Sequence, residues 1–399
     1  MTAEISVFNK LGVALAADSA ATTSRGKVFN SANKIFTLDS AHLVGIMIYG
    51  NANFMDVPWE VIIKTFREKM GQNILLNLED YENAFIEHVK TFKVDSSTEM
   101  QILLNIYSEL MSVIQDRLDR ENYEIGAVSD ENLNSYFLTI LQDIDLNQTY
   151  FDEIDGLSVR DVEDVFGNDL RLKISEQINS RLLPSIQQIS ELTIKLFFSK
   201  TYSNMSTGIV IAGYGKEDIY PKVSRFSVDG AICGKIKITN TQRENGKDES
   251  SILPFAQQEM VHTVLRGIDP GLEEYRTNLH QDIKDKVKQS VGDPSLDVTM
   301  EEIFFDANRL FVEKIQEQHI RPVVEMLSNL SLSELASMAE TLVSLTSFKR
   351  KYSGDIETVG GPIDVLVISR SDGPIWIKRK KYFDIAMNEG FVNRRKNGL

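Results

Sequence analysis

The chain has 399 residues, 42% of them hydrophobic and 25% charged, a composition that excludes a fibre or a disordered protein and predicts a soluble globular one. Its 43 Lys and Arg against 58 Asp and Glu give a net charge of −15, which disfavours nonspecific binding to nucleic acid or anionic membranes. The single cysteine, Cys233, excludes an intrachain disulfide and a cysteine-based zinc cluster, and it fits a reducing cytoplasm. Five scattered histidines include no pair at metal-ligand spacing, so a histidine metal site would have to be assembled in three dimensions, and we expect no metal.

One apolar segment near the N-terminus, residues 11–17, is similar to the core of a signal peptide. It is short, however, and it lies between Glu4 and Asp18 without a basic leader. No stretch approaches the roughly 18 apolar residues of a membrane span. We therefore expect a cytoplasmic protein that does not associate with membranes.

The elements predicted in chain order begin with two β-hairpins. Strands at 3–8 and 12–17 form the first hairpin, and strands at 34–38 and 42–49 form the second. Apolar residues at helical spacing follow from Trp59, and a long acidic helical region occupies about 70–205.

The second half of the chain returns to strands and ends in a third hairpin. Its predicted elements are strands at 208–213, 220–228 and 231–239, a helix starting near Pro254, a helical stretch at 270–328, a helix at 333–348 capped by Ser333, and strands at 362–369 and 374–378. Hairpins at both ends with helices between them predict an α+β fold of antiparallel sheets covered by helices.

The second residue carries the first chemical signal. Removal of Met1 would give Thr2 a free α-amino group beside its hydroxyl, and such a pair can act as base and nucleophile. Asp18 ends the second strand and Lys34 begins the next hairpin, so both can converge on the start of the first strand. A buried lysine there would favour loss of the hydroxyl proton, and an aspartate would orient the lysine. A purely structural ion pair between Asp18 and Lys34 explains the same residues.

Three motifs resemble those of a known family. They are Gly12-Val-Ala-Leu-Ala-Ala-Asp18, Lys34-Ile-Phe36 and Gly45-Ile-Met-Ile-Tyr-Gly50, and they are similar to proteasome β-type subunits and the HslV peptidase, threonine peptidases of the N-terminal-nucleophile (Ntn) hydrolase superfamily. Counting without a gap from Asp18 puts Thr2 on the family's nucleophile and Lys34 on its catalytic lysine. Downstream, residues 251–256 are similar to the family's active-site serine segment, and residues 360–370 to its final-strand motif.

The resemblance implies a four-layer αββα sandwich of antiparallel sheets covered by helices, with helical insertions. It implies an Ntn core in three parts, 1–70, 176–265 and 331–399 with its basic tail, interrupted by an acidic helical insertion at 71–175 and a second helical insertion at 266–330. It also implies hydrolysis of amide or peptide bonds through an acyl-enzyme, with no cofactor. The catalytic residues it implies are Thr2, Asp18, Lys34, Gly50 as oxyanion donor, and Ser251.

A small to medium apolar substrate pocket is also implied, although core packing explains the same side chains equally well. Its residues are Ala21, Ala32, Phe36, Ile48 and Ala52. The implied partners are a peptide or protein substrate, further copies of the chain in a homo-oligomer such as a ring, and an ATPase unfoldase. The basic segments at 378–381 and 394–396 are interpreted as an exposed edge strand and a solvated terminus, since no aromatic platform for nucleic acid accompanies them.

Several positions depart from the family pattern. Ala20 replaces an arginine, Ile252 replaces the glycine after the serine, and Ile356 and Val359 stand where an aspartate and a serine precede Gly-Gly. Asp355 or Ser353 is a candidate substitute from a longer loop. These losses leave open two other functions, a noncatalytic scaffold or recognition protein that uses the acidic helical insertion, and a hydrolase of small amides.

Overall fold

The computed structural model describes residues 2–22, 27–39, 41–121, 129–201, 206–291, 295–353, 359–381, 383–384, 386–388 and 390. Met1, Asp355, Ile356 and the basic segment 394–396 therefore lie outside the described residues. The strands in chain order are β1 (Ala3–Asn9), β2 (Gly12–Ala17), β3 (Ala21–Thr22), β4 (Val28–Phe29), β5 (Ile35–Thr37), β6 (Val44–Gly50), β7 (Asn53–Phe54), β8 (Val57–Pro58), β9 (Thr207–Gly213), β10 (Lys222–Ile232), β11 (Lys235–Asn245), β12 (Ser251–Ala256), β13 (Asp364–Ser369) and β14 (Gly373–Lys378). The α-helices are α1 (Trp59–Met70), α2 (Leu78–Val89), α3 (Ser96–Arg120), α4 (Asp130–Leu146), α5 (Val159–Ser175), α6 (Ile186–Phe197), α7 (Glu259–Arg266), α8 (Pro270–Val291), α9 (Ser295–Ile315), α10 (Arg321–Leu327) and α11 (Leu332–Tyr352).

Two five-stranded antiparallel sheets form the centre of the molecule. The first has the order β12-β1-β2-β13-β14, and the second has the order β11-β10-β9-β6-β5. Between them lies an apolar layer that includes Phe8, Leu15, Met47 and Val210. Burying this layer removes apolar surface of both sheets from water and holds them face to face.

Helices cover both outer faces of the sheet pair. On the first sheet, Ala3, Ile5 and Val7 pack against α11. On the second sheet, α1 and α2 pack over β9 and β10 through a cluster that includes Trp59. The four layers are therefore helix, sheet, sheet and helix, which confirms the predicted α+β sandwich of antiparallel sheets covered by helices.

A further helical cluster consists of α3, α4, α5 and α6 with an apolar core of its own. Leu103, Phe137, Phe166 and Ile189 are among its buried side chains. Side-chain caps begin α3 and α5: Asp95 accepts from the backbone N–H of Thr98, and Ser158 forms a capping box with Asp161. Among the described residues, α6 packs in this cluster while α2 packs on the second sheet.

The three predicted hairpins are confirmed, as β1–β2, β5–β6 and β13–β14. The predicted break at Asp229-Gly230 is wrong, because β10 continues through a bulge there and turns at Cys233-Gly234, where both residues have positive φ. The cap of α11 is Ser331, which forms a capping box with Glu334, and not Ser333. The predicted helix start at Pro254 is also wrong, since residues 251–256 are the edge strand β12, a position that tolerates proline.

None of the helices in the described part of the chain combines the length and apolar composition that a membrane span needs.

At the edge of the first sheet opposite β12, β14 carries part of the basic segment. Lys378 pairs with Glu340, Lys380 pairs with Asp364, and Arg379 lies over the ring of Trp376. The predicted edge strand is therefore confirmed up to Lys378, where β14 ends, and residues 379–380 lie beyond it.

Candidate active site

The candidate site lies at the start of β1, between the two sheets. Side chains alternate along a strand, so Ala3, Ile5 and Val7 face α11 while Glu4, Ser6 and Phe8 face the second sheet. Thr2 precedes the strand and is 7% exposed. Thr2 is therefore largely excluded from water.

Asp18 fixes the start of β1 through both its backbone and its carboxylate. Its backbone N–H donates to the Ala3 carbonyl at 3.1 Å, and its Oδ1 accepts from the Ala3 N–H at 3.0 Å. Its Oδ2 accepts from the N–H groups of Ala20 at 3.2 Å and Gly360 at 2.9 Å. Backbone N–H groups from both sides thus hold this buried carboxylate, one of them from the Gly360-Gly361 loop, which explains why that motif lies near the site.

Lys34 reaches the same point from the opposite sheet. Its carbonyl accepts from the Ile48 N–H at 2.9 Å, which extends the pairing of β5 with β6. Its Nζ lies 2.5 Å from Asp18 Oδ1 and 3.2 Å from Glu4 Oε1. The structure therefore brings together Asp18, Lys34 and the start of β1, as the sequence spacing predicts.

Glu4 completes the cluster and was not predicted from the sequence. It is fully buried, and its Oε2 accepts a hydrogen bond from Thr2 Oγ1 at 2.9 Å. Burial raises the pKa of Glu4 from 4.5 to about 7; Lys34 and the Thr2 hydroxyl oppose the shift, and the like charge of Asp18 adds to it. The sequence did carry one signal for Glu4, which is the only charged residue of β1 and lies two residues from Thr2, on the same face.

Gly50 ends β6 opposite Thr207 and has φ +85°. A Cβ on this residue would lie 2.6 Å from the Ser206 carbonyl oxygen, so the backbone itself requires glycine here. Lys34 lies opposite Ile48, two residues before Gly50, which puts both at the same end of the second sheet.

Ser251 does not join the cluster. It pairs with Phe8 near the far end of β1, whereas Ala256 pairs with Ala3 at the site end. Five residues of extended strand separate the two positions, a distance of roughly 17 Å. The expectation that Ser251 is an active-site serine is therefore wrong, because its segment is a strand running alongside β1 and not the start of a helix beneath the site.

The expected substrate pocket is divided by the fold. Phe36 and Ile48 are 5% and 7% exposed and belong to the apolar core between the second sheet and α1 and α2. Their predicted role in substrate binding is wrong, because the core between sheet and helices takes up both side chains. Ala21, Ala32 and Ala52 lie outside this core, and all three are at least partly exposed.

The departures from the family pattern have local explanations. Ala20 is fully buried, and Val359 packs in the core beneath α11. Ser353 ends α11 and donates to the Arg350 carbonyl. No group of three or more His, Cys, Asp or Glu residues in the described ranges is arranged to hold a metal ion.

The layered fold defines an α+β sandwich of two antiparallel sheets covered by helices. No family model and no curated protein matches the chain. Solved structures similar to it include two Anbu structures from Hyphomicrobium sp. strain MC1, one described as a Gly-1 mutant, and Anbu from Yersinia bercovieri, described as an ancestral beta-subunit.

The similarity to these structures spans nearly the whole chain but is distant. The mutant has 9% identity and a TM-score of 0.33, over 100% of this chain and 96% of its own. The other Hyphomicrobium structure has 9% and 0.32, over 99% and 95%. The Yersinia protein has 8% and 0.28, over 99% and 95%. These values do not extend to chemistry.

The expected relationship to HslV and the proteasome β-type threonine peptidases is wrong. The motifs that suggested it are present, but no family model matches the chain and these similar structures are Anbu proteins. What stands is the α+β architecture, which rests on the sheet order and the four layers.

Proposed function

We propose that the chain is an amide or peptide hydrolase that uses the hydroxyl of Thr2 as its nucleophile after Met1 is removed. The observation that carries the proposal is the buried cluster at the start of β1, in which Thr2 Oγ1 donates to Glu4 and Lys34 bridges Glu4 and Asp18. Burying three ionisable side chains beside one hydroxyl opposes folding unless they are well paired, and such clusters concentrate at functional sites.

The proposed reaction proceeds through an acyl-enzyme. Thr2 Oγ attacks the substrate carbonyl, the hydroxyl proton passes to a base, and the positive charge of Lys34 favours the developing negative charge nearby. Asp18 positions Lys34 and the backbone of Ala3, while the N–H of Gly50 is the proposed oxyanion donor. Two groups can accept the proton: the α-amino group of Thr2, as the sequence suggests, and the Glu4 carboxylate.

The substrate is proposed to be a peptide, with a small amide as the alternative. Removing Phe36 and Ile48 from the pocket leaves the smaller side chains of Ala21, Ala32 and Ala52 as the proposed lining. Because these side chains are small, turnover should depend only weakly on the size of the side chain before the cleaved bond. A panel of amide-linked fluorogenic peptides and single amino-acid amides would separate the two substrate classes.

The second candidate is a noncatalytic scaffold or recognition protein. The observation that favours it is the α3–α6 cluster, which buries a core of its own beside the sandwich and whose described residues contribute no side chain to the cluster at Thr2. A scaffold does not need a hydroxyl at position 2. Activity that depends on Thr2 would therefore reject it.

We also propose that the chain forms a homo-oligomer in the cytoplasm and receives unfolded protein from an ATPase. Helices α8 and α9 expose large apolar side chains, among them Leu272, Tyr275 and Phe305 at 60%, 64% and 71% exposure. Exposed apolar side chains of this size are typical of surfaces that meet another protein. Light scattering after size-exclusion chromatography tests the oligomer, and a monomeric mass would reject it.

The variant Thr2→Ala tests the proposed nucleophile. Alanine also permits removal of Met1, so the variant keeps the mature N-terminus and loses only the hydroxyl and the methyl group. We expect hydrolysis of the peptide panel to be abolished in Thr2→Ala and partly retained in Thr2→Ser. Turnover by Thr2→Ala equal to that of the parent chain, with matched melting temperatures, would reject Thr2 as nucleophile.

A further inference from the structure

Glu4 is the one acidic side chain in contact with the proposed nucleophile among the residues that the structure describes. It lies in the middle layer, flanked on its own sheet by Ala17 of β2 and Phe255 of β12. Neither neighbour is charged. A carboxylate in this position has lost its water and depends on the few polar groups that face it.

Those groups come from both sheets. Thr2 donates to Oε2 at 2.9 Å, Lys34 of the opposite sheet lies 3.2 Å from Oε1, and Asp18 acts on Glu4 as a like charge. Burial raises the pKa of the Tyr49 phenol on β6, and the negative charge of Glu4 adds to this rise. Within the described residues, Oε1 has a charged neighbour but no partner at hydrogen-bond geometry.

The hydrogen bond between Thr2 and Glu4 has a fixed direction when Glu4 is ionised. A carboxylate can only accept, so the Thr2 hydroxyl proton points at Glu4 Oε2. This places the proton within transfer distance of a base before any substrate binds. The lone pairs of Thr2 Oγ1 then point away from Glu4.

We infer that Glu4 is the general base that takes the proton from Thr2 Oγ1, an inference that rests on the proposed hydrolase function. In acylation, the Thr2 O–H bond breaks, its proton moves to Glu4 Oε2, and Oγ1 forms a bond to the carbonyl carbon. The carbon–nitrogen bond then breaks and the proton passes from Glu4 to the leaving amine. In deacylation, Glu4 takes a proton from the attacking water and returns it to Oγ1 as the ester bond breaks.

Charge balance in the cluster favours this transfer. With both carboxylates ionised and Lys34 protonated, the three side chains carry a net charge of −1, and taking up the proton brings them to zero. The gain offsets part of the negative charge that develops on the substrate oxygen. Burial also raises the pKa of Glu4 to about 7, close to the pH at which a general base works best.

The variants that test this inference are Glu4→Gln, Glu4→Asp and Ser6→Ala. Glutamine keeps an acceptor for the Thr2 hydroxyl but cannot take its proton, while aspartate keeps a carboxylate one methylene further back. Ser6 is the matched control, because it is buried two residues along on the same face and its hydroxyl has no partner in the described residues. Thermal unfolding of each variant checks that the fold is kept.

The measurement is the rate at which a β-lactone probe acylates Thr2, followed by mass between pH 5.5 and 9. In the parent chain and Ser6→Ala, we expect the rate to rise with pH through a midpoint near 7, where Glu4 loses its proton. In Glu4→Gln, we expect a rate at least about 100-fold lower and no such midpoint, since a positioned base contributes roughly 10²–10⁴-fold. Glu4→Asp should restore part of the rate and a midpoint.

Two different failures can be told apart. If the parent chain is acylated at Thr2 and Glu4→Gln reacts at a similar rate with the same midpoint, Glu4 is not the base and the proposed function survives. If the parent chain is not acylated at Thr2, the proposed function fails and the role of Glu4 fails with it.

Discussion

Replacing Glu4 with glutamine should stabilise the protein at alkaline pH. The Glu4 carboxylate is fully buried, and its ion-pair distance to Lys34 and hydrogen bond from Thr2 do not fully offset the loss of water. Glutamine has nearly the same shape and no charge. The buried charge is therefore removed while the packing between the sheets is kept.

The size of the effect follows from the raised pKa of Glu4. At 1.36 kcal/mol per pH unit, a rise from 4.5 to about 7 corresponds to about 3 kcal/mol. Because the folded state holds the proton more tightly, the contribution of Glu4 to stability is fully present below pH 4.5 and is lost as pH rises through about 7. A glutamine side chain does not titrate, so the Glu4→Gln variant lacks this loss.

Urea unfolding followed by tryptophan fluorescence measures the difference, since Trp59 is fully buried in the core beneath α1. Between pH 5.5 and 8.5, we expect the free energy of unfolding of the variant to rise by about 2 kcal/mol relative to the parent. About two-fifths of the stability change caused by Glu4 titration occurs below pH 5.5 and lies outside this range. Comparing the two proteins at each pH cancels the titration of the groups that do not interact with Glu4.

A matched buried carboxylate provides the control. Glu82 is 2% exposed, but Arg243 lies 2.7 Å from it and Ser224 donates to it at 2.6 Å. Glu82→Gln should therefore lower the free energy of unfolding, because it breaks a well-formed pair. A difference between Glu4→Gln and the parent that stays constant from pH 5.5 to 8.5 would refute the account of Glu4 as a buried, titrating carboxylate.

Three further substitutions test Lys34, Gly50 and Ser251. Lys34→Met leaves the buried carboxylates without their cation, so we expect the free energy of unfolding to fall by about 3–5 kcal/mol at pH 8. The loss should be smaller at pH 5.5, where Glu4 is protonated. We also expect the β-lactone to acylate Thr2 more slowly in this variant. Gly50→Ala should lower the melting temperature, because it places a Cβ 2.6 Å from the Ser206 carbonyl oxygen at a residue with positive φ. A melting temperature equal to that of the parent would contradict the argument that the backbone requires glycine at this position. Ser251→Ala should leave peptide turnover unchanged, and a loss of turnover at matched stability would contradict its placement opposite Phe8.

The sequence predicts the first strands well, and it predicts that Asp18 and Lys34 converge on the start of β1. The hairpin of β1 and β2 is short and local, and the end of β2 necessarily lies beside the start of β1. Asp18 therefore had to approach residues 2–4, and only Lys34 needed a long-range assumption. Its approach from the second sheet is confirmed by its 2.5 Å distance to Asp18.

The failures arise where one pattern fits two structures. The apolar run around Pro254 suits either a helix start or an edge strand, and only the vacant edge of β1 decides for the strand. Phe36 and Ile48 lie on strands with one face toward the first sheet and one toward helices, and their side chains lie on the helix side. Glu4 was missed because a single carboxylate in a strand shows no partner until the opposite sheet is in place.

The mass of the N-terminal tryptic peptide after reaction with the β-lactone tests the central claim most directly. Trypsin cuts after Lys10, so the mature chain releases residues 2–10, which contain both Thr2 and Glu4. The account predicts that this peptide lacks Met1 and carries one acyl group, with fragmentation placing the group on Thr2. Retention of Met1, or an unmodified peptide from fully folded protein, would contradict the claim that Thr2 is the nucleophile.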